Sequence, residues 1–338
     1  MAKYIHWGAT TQDIMDDASI LQIKAGLQIR YHNGRPNPPP TRPLPCTFGY
    51  KCAIYLSSIH RHIQRLNELE PRCLLVQFGG AAGTLASLGS DNTGLRVRAQ
   101  LARELNLYDP SITWHVTRDN IAEILNYLAL IGGSLAKIAY DIIIMSSNEL
   151  SEVSEPFVPH RGASSTMPQK RNPISSEVVL AASKLLRANA GLGLDAMVVD
   201  FERASGPWHL EWVAIPDSFV LTVGALHQTT FVLNGLVVNT DSMLENLLST
   251  KGFIVGEAVM MGLAPVMGRQ KAHDVVYEAC KESIETKKPL LEVLLGRGDV
   301  MESKVDEDTL RKLCDPRNYL GASGLMVDRM VEECKIVS

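Results

Sequence analysis

Hydroxyl, amide and ammonium side chains gather in one short stretch, directly before a run of apolar residues with helical spacing. Ser164 supplies a hydroxyl group, Lys170 a positive charge and Asn172 an amide. Asn172 and Pro173 predict a helix start, with the proline at the first helical position and Glu177 in the first turn. Free N–H groups at such a start favour an anion. The stretch therefore predicts a polar loop that delivers donors to a carboxylate.

The complete string from residue 162 to 173 reads G-A-S-S-T-M-P-Q-K-R-N-P. Its composition alone fits an ordinary surface loop equally well. The string resembles the signature G-S-S-x-M-P-x-K-x-N-P-x-x-x-E of the fumarase/aspartase superfamily. The signature fixes too many positions over a short span to arise readily by chance. Ala163 replaces a glycine of the signature.

Two further segments resemble the same family. Residues 6–13, H-W-G-A-T-T-Q-D, are similar to its motif H-x-G-x-T-S-x-D, with Thr11 in place of the serine. By itself this segment is a helix-capping sequence. Residues 202–212, E-R-A-S-G-P-W-H-L-E-W, resemble the 3-carboxy-cis,cis-muconate cycloisomerase branch. For Arg203 and His209, contact with an anion and pairing with Glu202 or Glu211 on the same helix are equally good interpretations.

The resemblance implies a lyase or cycloisomerase of aromatic catabolism that abstracts a proton beside a carboxylate, with no metal and no organic cofactor. It makes Ser164 the catalytic base and Glu177 the residue that orients a histidine of the second family motif. A serine base needs loop N–H groups and a nearby cation to stabilise its alkoxide. The residues implied in substrate binding are His6, Thr10, Thr11, Ser165, Met167, Lys170, Asn172, Arg203 and His209.

The resemblance also implies a homotetramer whose active sites combine residues of several subunits, acting on a di- or tricarboxylate. Family members have a further region before the first motif, which here begins at His6, so we expect a shortened form. The second motif is disrupted, since its histidine falls on Asn37 or Pro39, and neither side chain transfers protons. Two alternatives therefore remain, an adenylosuccinate-lyase-like C–N lyase and a catalytically impaired helical scaffold.

Composition excludes several other classes. A net charge of −4, with 46% hydrophobic and 21% charged residues, gives no sign of nucleic-acid or membrane-surface binding. Six cysteines are scattered without a C-x-x-C pair, which favours free thiols in a reducing cytosol over a zinc site. Lys137 and Asp141 interrupt the most apolar window, residues 125–145, and argue against a membrane span.

Helical periodicity dominates the remaining sequence and predicts an all-α, long-helix bundle. We expect a central bundle domain over residues 1–246 and a small C-terminal helical domain over 247–338. Long helices are predicted over 118–150 and from 210 to 238, and His60 and His62 are predicted at the surface of a helix from 48 to 69. One stripe alternates three and four residues apart and predicts packing in a bundle. It consists of Ile121, Ile124, Leu128, Ile131, Leu135, Ile138, Ile142 and Met145.

Overall fold

The computed structural model describes residues 6–28, 46–158, 171–303 and 305–337. Across these ranges the chain forms thirteen α-helices and one two-stranded ladder, which confirms the all-α class. Ser164, Ser165, Met167 and Lys170 lie outside the described residues, as do Asn37 and Pro39. The described chain divides into two compact units. The first comprises parts of 1–36, 58–143 and 155–235, and the second parts of 37–57, 144–154 and 236–338.

The first unit contains the long helices. Four lie wholly within it, and α2 and α4 lie within it for most of their length. The helices are α1 (Thr11–Leu27), α2 (Phe48–Cys73), α3 (Thr93–Leu105), α4 (Asp119–Met145), α5 (Ile174–Asp195) and α6 (Glu211–Asn234). The predicted helices over 118–150 and 210–238 are therefore confirmed with shorter C-terminal ends, whereas α3 had no counterpart among the predicted elements.

The apolar stripe of α4 is buried along its whole length. Each of its eight residues is at most 9% exposed. Gly132 sets a close crossing of α4 with α5, because a Cβ there would lie 2.6 Å from Cδ1 of Leu186. Gly193 of α5 does the same against Leu125. Truncating a buried leucine at such a crossing typically costs about 2–5 kcal/mol. The stripe therefore holds the chain's own bundle together.

The second unit has a separate core under shorter helices. Leu263, Leu290, Leu294 and Leu310 are fully buried in it. Val153 pairs with Val238 in an antiparallel ladder of β1 (Val153–Ser154) and β2 (Val237–Val238). The helices are α7 (Thr240–Ser249), α8 (Gly256–Met267), α9 (Arg269–Thr286), α10 (Leu290–Gly296), α11 (Gly298–Met301), α12 (Glu307–Leu313) and α13 (Ser323–Val337). The predicted domain boundary after residue 246 stays a prediction.

Helix α4 is long and apolar enough to cross a membrane by length and composition, and half of its most apolar window is buried. The segments Thr240–Ser249 and Phe253–Met267, taken together, also meet these criteria of length and composition, with a 78° bend between them. Core helices of soluble proteins pass the same test, so this is weak evidence for a span. Lys137 and Asp141 form an ion pair on α4, one turn apart.

His62 departs from its predicted surface position. Its side chain is buried, and Nε2 lies 2.8 Å from Oγ of Ser134 while Nδ1 faces Arg65 at 3.3 Å. Burial, with a smaller contribution from the charges of Arg65 and Arg61, lowers the pKa of His62 to about 4. His62 is therefore a neutral residue of the bundle interior near neutral pH.

Candidate active site

The first family-like segment forms the start of α1. Thr10 is the N-cap in extended conformation, and its N–H donates to Oδ2 of Asp13 at 2.8 Å. The side chain of Thr11 is exposed at the first helical position. His6 is also exposed and adopts a φ of +66°. The capped helix expected here is confirmed, and it presents Thr10 and Thr11 at its N-terminal end.

Asp13 fixes this helix start to two distant segments. Oδ1 accepts from the Gly79 N–H at 3.1 Å and lies 2.5 Å from Nε2 of His115, while Oδ2 accepts from the Gly80 N–H at 2.9 Å. Burial acts to raise the pKa of Asp13, but the hydrogen bonds from His115, Thr10 and Gly80 outweigh it and leave the pKa below its usual value. Asp13 is therefore an ionised, fully coordinated carboxylate.

Arg203 reaches the same helix start. Its Nη1 donates to Oγ1 of Thr10 at 2.9 Å and to the Ala81 carbonyl at 3.0 Å, and its Nε donates to Oε1 of Gln12 at 3.2 Å. All three acceptors are neutral. Among the described residues, no carboxylate forms an ion pair with Arg203. The pairing with Glu202 that the sequence left open is not formed, and the Arg203 charge stays available to an anion.

A second arginine lies buried beneath this surface. Arg118 donates from Nη1 and Nη2 to the two oxygens of Asp16 at 2.9 and 3.0 Å, and from Nε to Oε1 of Glu211 at 2.9 Å. Its guanidinium also lies 4.9 Å from the ring centre of Trp114. Trp208 Nε1 donates to Asp16 at 3.3 Å. This cluster holds the 208–211 segment against α1, and Glu211 pairs with Arg118 and not with His209.

His209 lies beside the arginine cluster in an exposed aromatic group. Its Nδ1 is 3.0 Å from the Gly206 carbonyl oxygen, and its ring centre is 4.4 Å from that of Trp212 in an edge-on arrangement. The Trp208 ring lies 5.7 Å from His209. Because the Gly206 carbonyl can only accept, it holds the hydrogen on Nδ1. The other ring nitrogen, Nε2, forms no hydrogen bond within the described ranges and can meet an external group.

The sequence did not reveal the burial of Asp17. This side chain accepts from the Gln77 N–H at 2.6 Å. Burial raises the pKa of Asp17 to about 7 despite that hydrogen bond, with a smaller contribution from the neighbouring charges of Asp13 and Asp16. Three acidic residues on one turn and a half of helix look like a solvated face in the sequence. Their partners lie far away along the chain, so spacing alone could not show that they are buried.

The start of α5 corrects the first prediction. Pro173, and not Asn172, is the N-cap, and the helix begins at Ile174. The N–H groups of Ser175 and Ser176 donate to the carboxylate of Glu155 at 3.2 and 2.8 Å. The Ser176 hydroxyl donates to the same carboxylate at 2.7 Å. The helix N-terminus is therefore already occupied, and its N–H groups cannot receive a substrate carboxylate as expected.

Glu177 and Asn172 flank the start of α5, and the second-motif and loop residues that the resemblance assigns to the same site lie outside the described residues. Glu177 is exposed on the first turn of α5, and Asn172 is partly exposed just before it. The structure brings together Thr10 and Arg203, and it leaves the contacts of the loop residues untested. Within the described residues, no group of three or more His, Cys, Asp or Glu side chains is arranged to hold a metal ion.

Comparison with known proteins places this architecture in one family. Residues 41–186 match the family model described as lyase, and residues 252–330 match the one for the adenylosuccinate lyase C-terminus. A fumarate lyase structure from Mesorhizobium sp. BNC1 superposes with a TM-score of 0.86 at 47% identity, over 98% of this chain and 78% of that one. The chain belongs to the fumarase/aspartase superfamily.

Two curated relatives are enzymes with different reactions. Trans-aconitate decarboxylase 1 of Mycosarcoma maydis is 44% identical over 98% of this chain and 70% of its own length. The 3-carboxy-cis,cis-muconate cycloisomerase of Acinetobacter baylyi is 39% identical over 99% of this chain and 78% of its own length. The chain thus spans about three quarters of the relatives that it matches.

Proposed function

We propose that this protein is a lyase or cycloisomerase that needs no cofactor and acts on an unsaturated tricarboxylate, as 3-carboxy-cis,cis-muconate cycloisomerase does. Both named substrates of the two relatives are tricarboxylic acids with a carbon–carbon double bond. The observation that supports this substrate class most is the environment of Arg203. Its side chain is oriented by three neutral acceptors, and within the described residues its Nη2 group makes no recorded hydrogen bond. A guanidinium in this state is suited to a carboxylate.

Thr10 adds a second donor beside Arg203. Because its Oγ1 accepts from the guanidinium, the hydroxyl hydrogen is free to point at a bound anion. In the proposed reaction, these two groups hold one carboxylate of the substrate. Removal of the proton beside a carboxylate leaves negative charge that preorganised donors stabilise in the transition state. The proposed base is Ser164, with Lys170 and Asn172 receiving a further carboxylate.

A homotetramer with composite active sites belongs to the proposal. Leu130 of α4, Leu185 of α5 and Val220 of α6 are 52%, 54% and 72% exposed, on helices whose other faces are buried. Neighbouring copies of the chain would cover these residues. The stripe beginning at Ile121 gives no support for assembly, because the chain itself buries it. We also propose a cytosolic location, consistent with the six free cysteines.

Decarboxylation of trans-aconitate is the second candidate, and the 44% identity to the decarboxylase favours it. Ultraviolet assays with 3-carboxy-cis,cis-muconate, trans-aconitate and adenylosuccinate separate the possibilities. We expect turnover of a tricarboxylate by the wild type and loss of about three orders of magnitude in Ser164→Ala, whose helix content and oligomeric state remain unchanged. Ser205→Ala is the matched control, because it removes a hydroxyl that is bound to Asp200.

Three outcomes would redirect this proposal. Turnover of adenylosuccinate alone would assign a C–N lyase. Unchanged turnover in Ser164→Ala would remove this residue from the mechanism. No turnover of any substrate, also after a histidine is restored at Asn37 or Pro39, would favour the non-catalytic scaffold.

A further inference from the structure

A single buried pair joins the segment after Trp114 to the start of α1. Nε2 of His115 lies 2.5 Å from Oδ1 of Asp13, and the two side chains are 2% and 1% exposed. An ionised carboxylate only accepts hydrogen bonds, so Nε2 carries the hydrogen. Nδ1 of His115 is buried and has no hydrogen-bond partner among the described residues. The imidazole therefore has one polar contact that matters, the one to Asp13.

The residues that accept hydrogen bonds from Arg203 are all connected to Asp13 or to His115. Thr10 donates its N–H to Asp13. Gln12 directs its Oε1 at Arg203 while its Nε2 donates to the His115 carbonyl at 3.0 Å. Ala81 follows a glycine turn whose N–H groups, at residues 79 and 80, both donate to Asp13. Two acceptors of Arg203 thus lie at the start of α1 and the third on the 79–81 turn, and they are connected through the Asp13 carboxylate, which binds the His115 ring, and through the His115 main-chain carbonyl.

Glycine at position 79 is required for this arrangement. A Cβ there would lie 2.6 Å from Cγ2 of Thr113 and 2.9 Å from Cε1 of His115. Real Cβ atoms do not approach other atoms so closely, so the turn lies directly on the imidazole. The position of the turn, and with it that of the Ala81 carbonyl, is therefore set by the Thr113 methyl group and the His115 ring together.

We propose that Asp13 and His115 are positioning residues, which hold Thr10, Gln12 and Ala81 so that Arg203 is presented to a substrate carboxylate. The inference deepens the proposed function and rests on it for the use of Arg203 in binding. Neither residue of the pair touches the substrate in this scheme. His115 acts through its Nε2–H group, and a different side chain with an N–H donor at that point serves the same purpose.

The test uses phenylglyoxal, which modifies accessible arginines, and measures the rate of modification of Arg203 by peptide mass spectrometry on the intact protein. In His115→Leu and in Asp13→Asn we expect modification about tenfold faster, because the contact that holds the acceptors of Arg203 in place is lost or weakened. His115→Gln keeps an N–H donor and is expected to stay within about twofold of wild type. Tyr127→Phe is the matched control, since it removes another buried hydrogen bond of the same unit, to the His62 carbonyl.

The outcomes separate this inference from the proposed function. Equal rates in wild type and His115→Leu would overturn the inference, as would a rate in His115→Gln or Tyr127→Phe equal to that in His115→Leu. If His115→Leu does not fold, the comparison of Asp13→Asn with His115→Gln decides in the same way. A second series with saturating citrate tests the binding role. Failure of citrate to slow the wild-type reaction would count against the carboxylate site while leaving the positioning result intact.

Discussion

Arg118 and Arg203 belong to the same unit and meet opposite surroundings. Arg118 is buried between two carboxylates, and Arg203 is partly exposed among neutral oxygens. Burial opposes the charge of Arg118, yet hydrogen bonds with Glu211 and Asp16 keep its pKa above the ordinary value. A cation whose charge is balanced inside the chain contributes to the fold. A cation that is oriented without a counter-ion is available to a ligand.

The largest effect is expected when the balanced cluster is broken. Arg118→Met leaves Asp16 and Glu211 buried without their partner, and it should lower the free energy of unfolding by about 3–5 kcal/mol. Urea denaturation followed by circular dichroism measures this change. The triple variant Arg118→Met, Asp16→Leu, Glu211→Met removes all three charges and should recover most of the loss. A loss below about 1 kcal/mol in the single variant would show that Arg118 and its two carboxylates do not have the stabilising role assigned to them.

Asp17 sharpens the comparison, because it is a buried acid that forms no ion pair with any cation in the described part of the chain. Its pKa of about 7 in the folded state lies above the value of 3.8 for the unfolded chain. Between these pH values only the folded state holds the proton, so the stability contributed by this group is complete below pH 4 and falls as pH rises towards 7. Asp17→Asn imitates the protonated form and should raise the free energy of unfolding at pH 8 by about 2–4 kcal/mol relative to wild type.

Denaturation curves of Asp17→Asn and wild type at pH 4 and pH 8 test this prediction. The two proteins should differ much less at pH 4, because Asp17 is protonated in the folded wild type there and pH 4 lies close to its pKa of 3.8 in the unfolded chain. Asp274→Asn is a suitable control, since its carboxylate is exposed and should give no comparable pH dependence. A stability difference that is larger at pH 4 than at pH 8 would contradict the assigned direction.

The smallest effect on stability is expected at Arg203. Arg203→Met removes only hydrogen bonds to neutral acceptors at a partly exposed site, so the free energy of unfolding should change by no more than about 1 kcal/mol. Citrate affinity, measured by isothermal titration calorimetry, should fall by about tenfold or more. Arg203→Lys keeps the charge and loses the planar fork, and we expect an intermediate affinity. A large loss of stability with unchanged citrate affinity would show that Arg203, like Arg118, stabilises the fold and does not bind the ligand.

Local patterns predicted much of the fold. The α4 stripe predicted its own burial, because three-and-four spacing places those residues on one side of a helix. The long helices α4 and α6 were predicted from the same periodicity, with C-terminal ends placed a few residues too far along the chain. Helices α3, α7 and α13 were not predicted as separate elements. In α13, exposed residues such as Leu325 and Met326 leave no clear buried face.

The site was harder to predict because its contacts span the whole chain. Asp13 and His115 are separated by 102 positions, and Arg203 and Thr10 by 193. Spacing along one helix cannot show such partners. Family resemblance supplied Thr10 and Arg203 as candidates, whereas the roles of Asp13, Asp16 and Arg118 required coordinates.

Glu155 has a consequence for selectivity. The peptide groups at the beginning of α5 bind an acid from the same polypeptide, so they cannot bind an organic acid from solution unless Glu155 leaves. Peptide groups are the same in every protein, and recognition built on them tolerates almost any sequence. An incoming acid must instead meet side chains, and these change by mutation one at a time. Relatives that share the same backbone fold can in this way differ in the acids that they bind, while their helices stay unchanged.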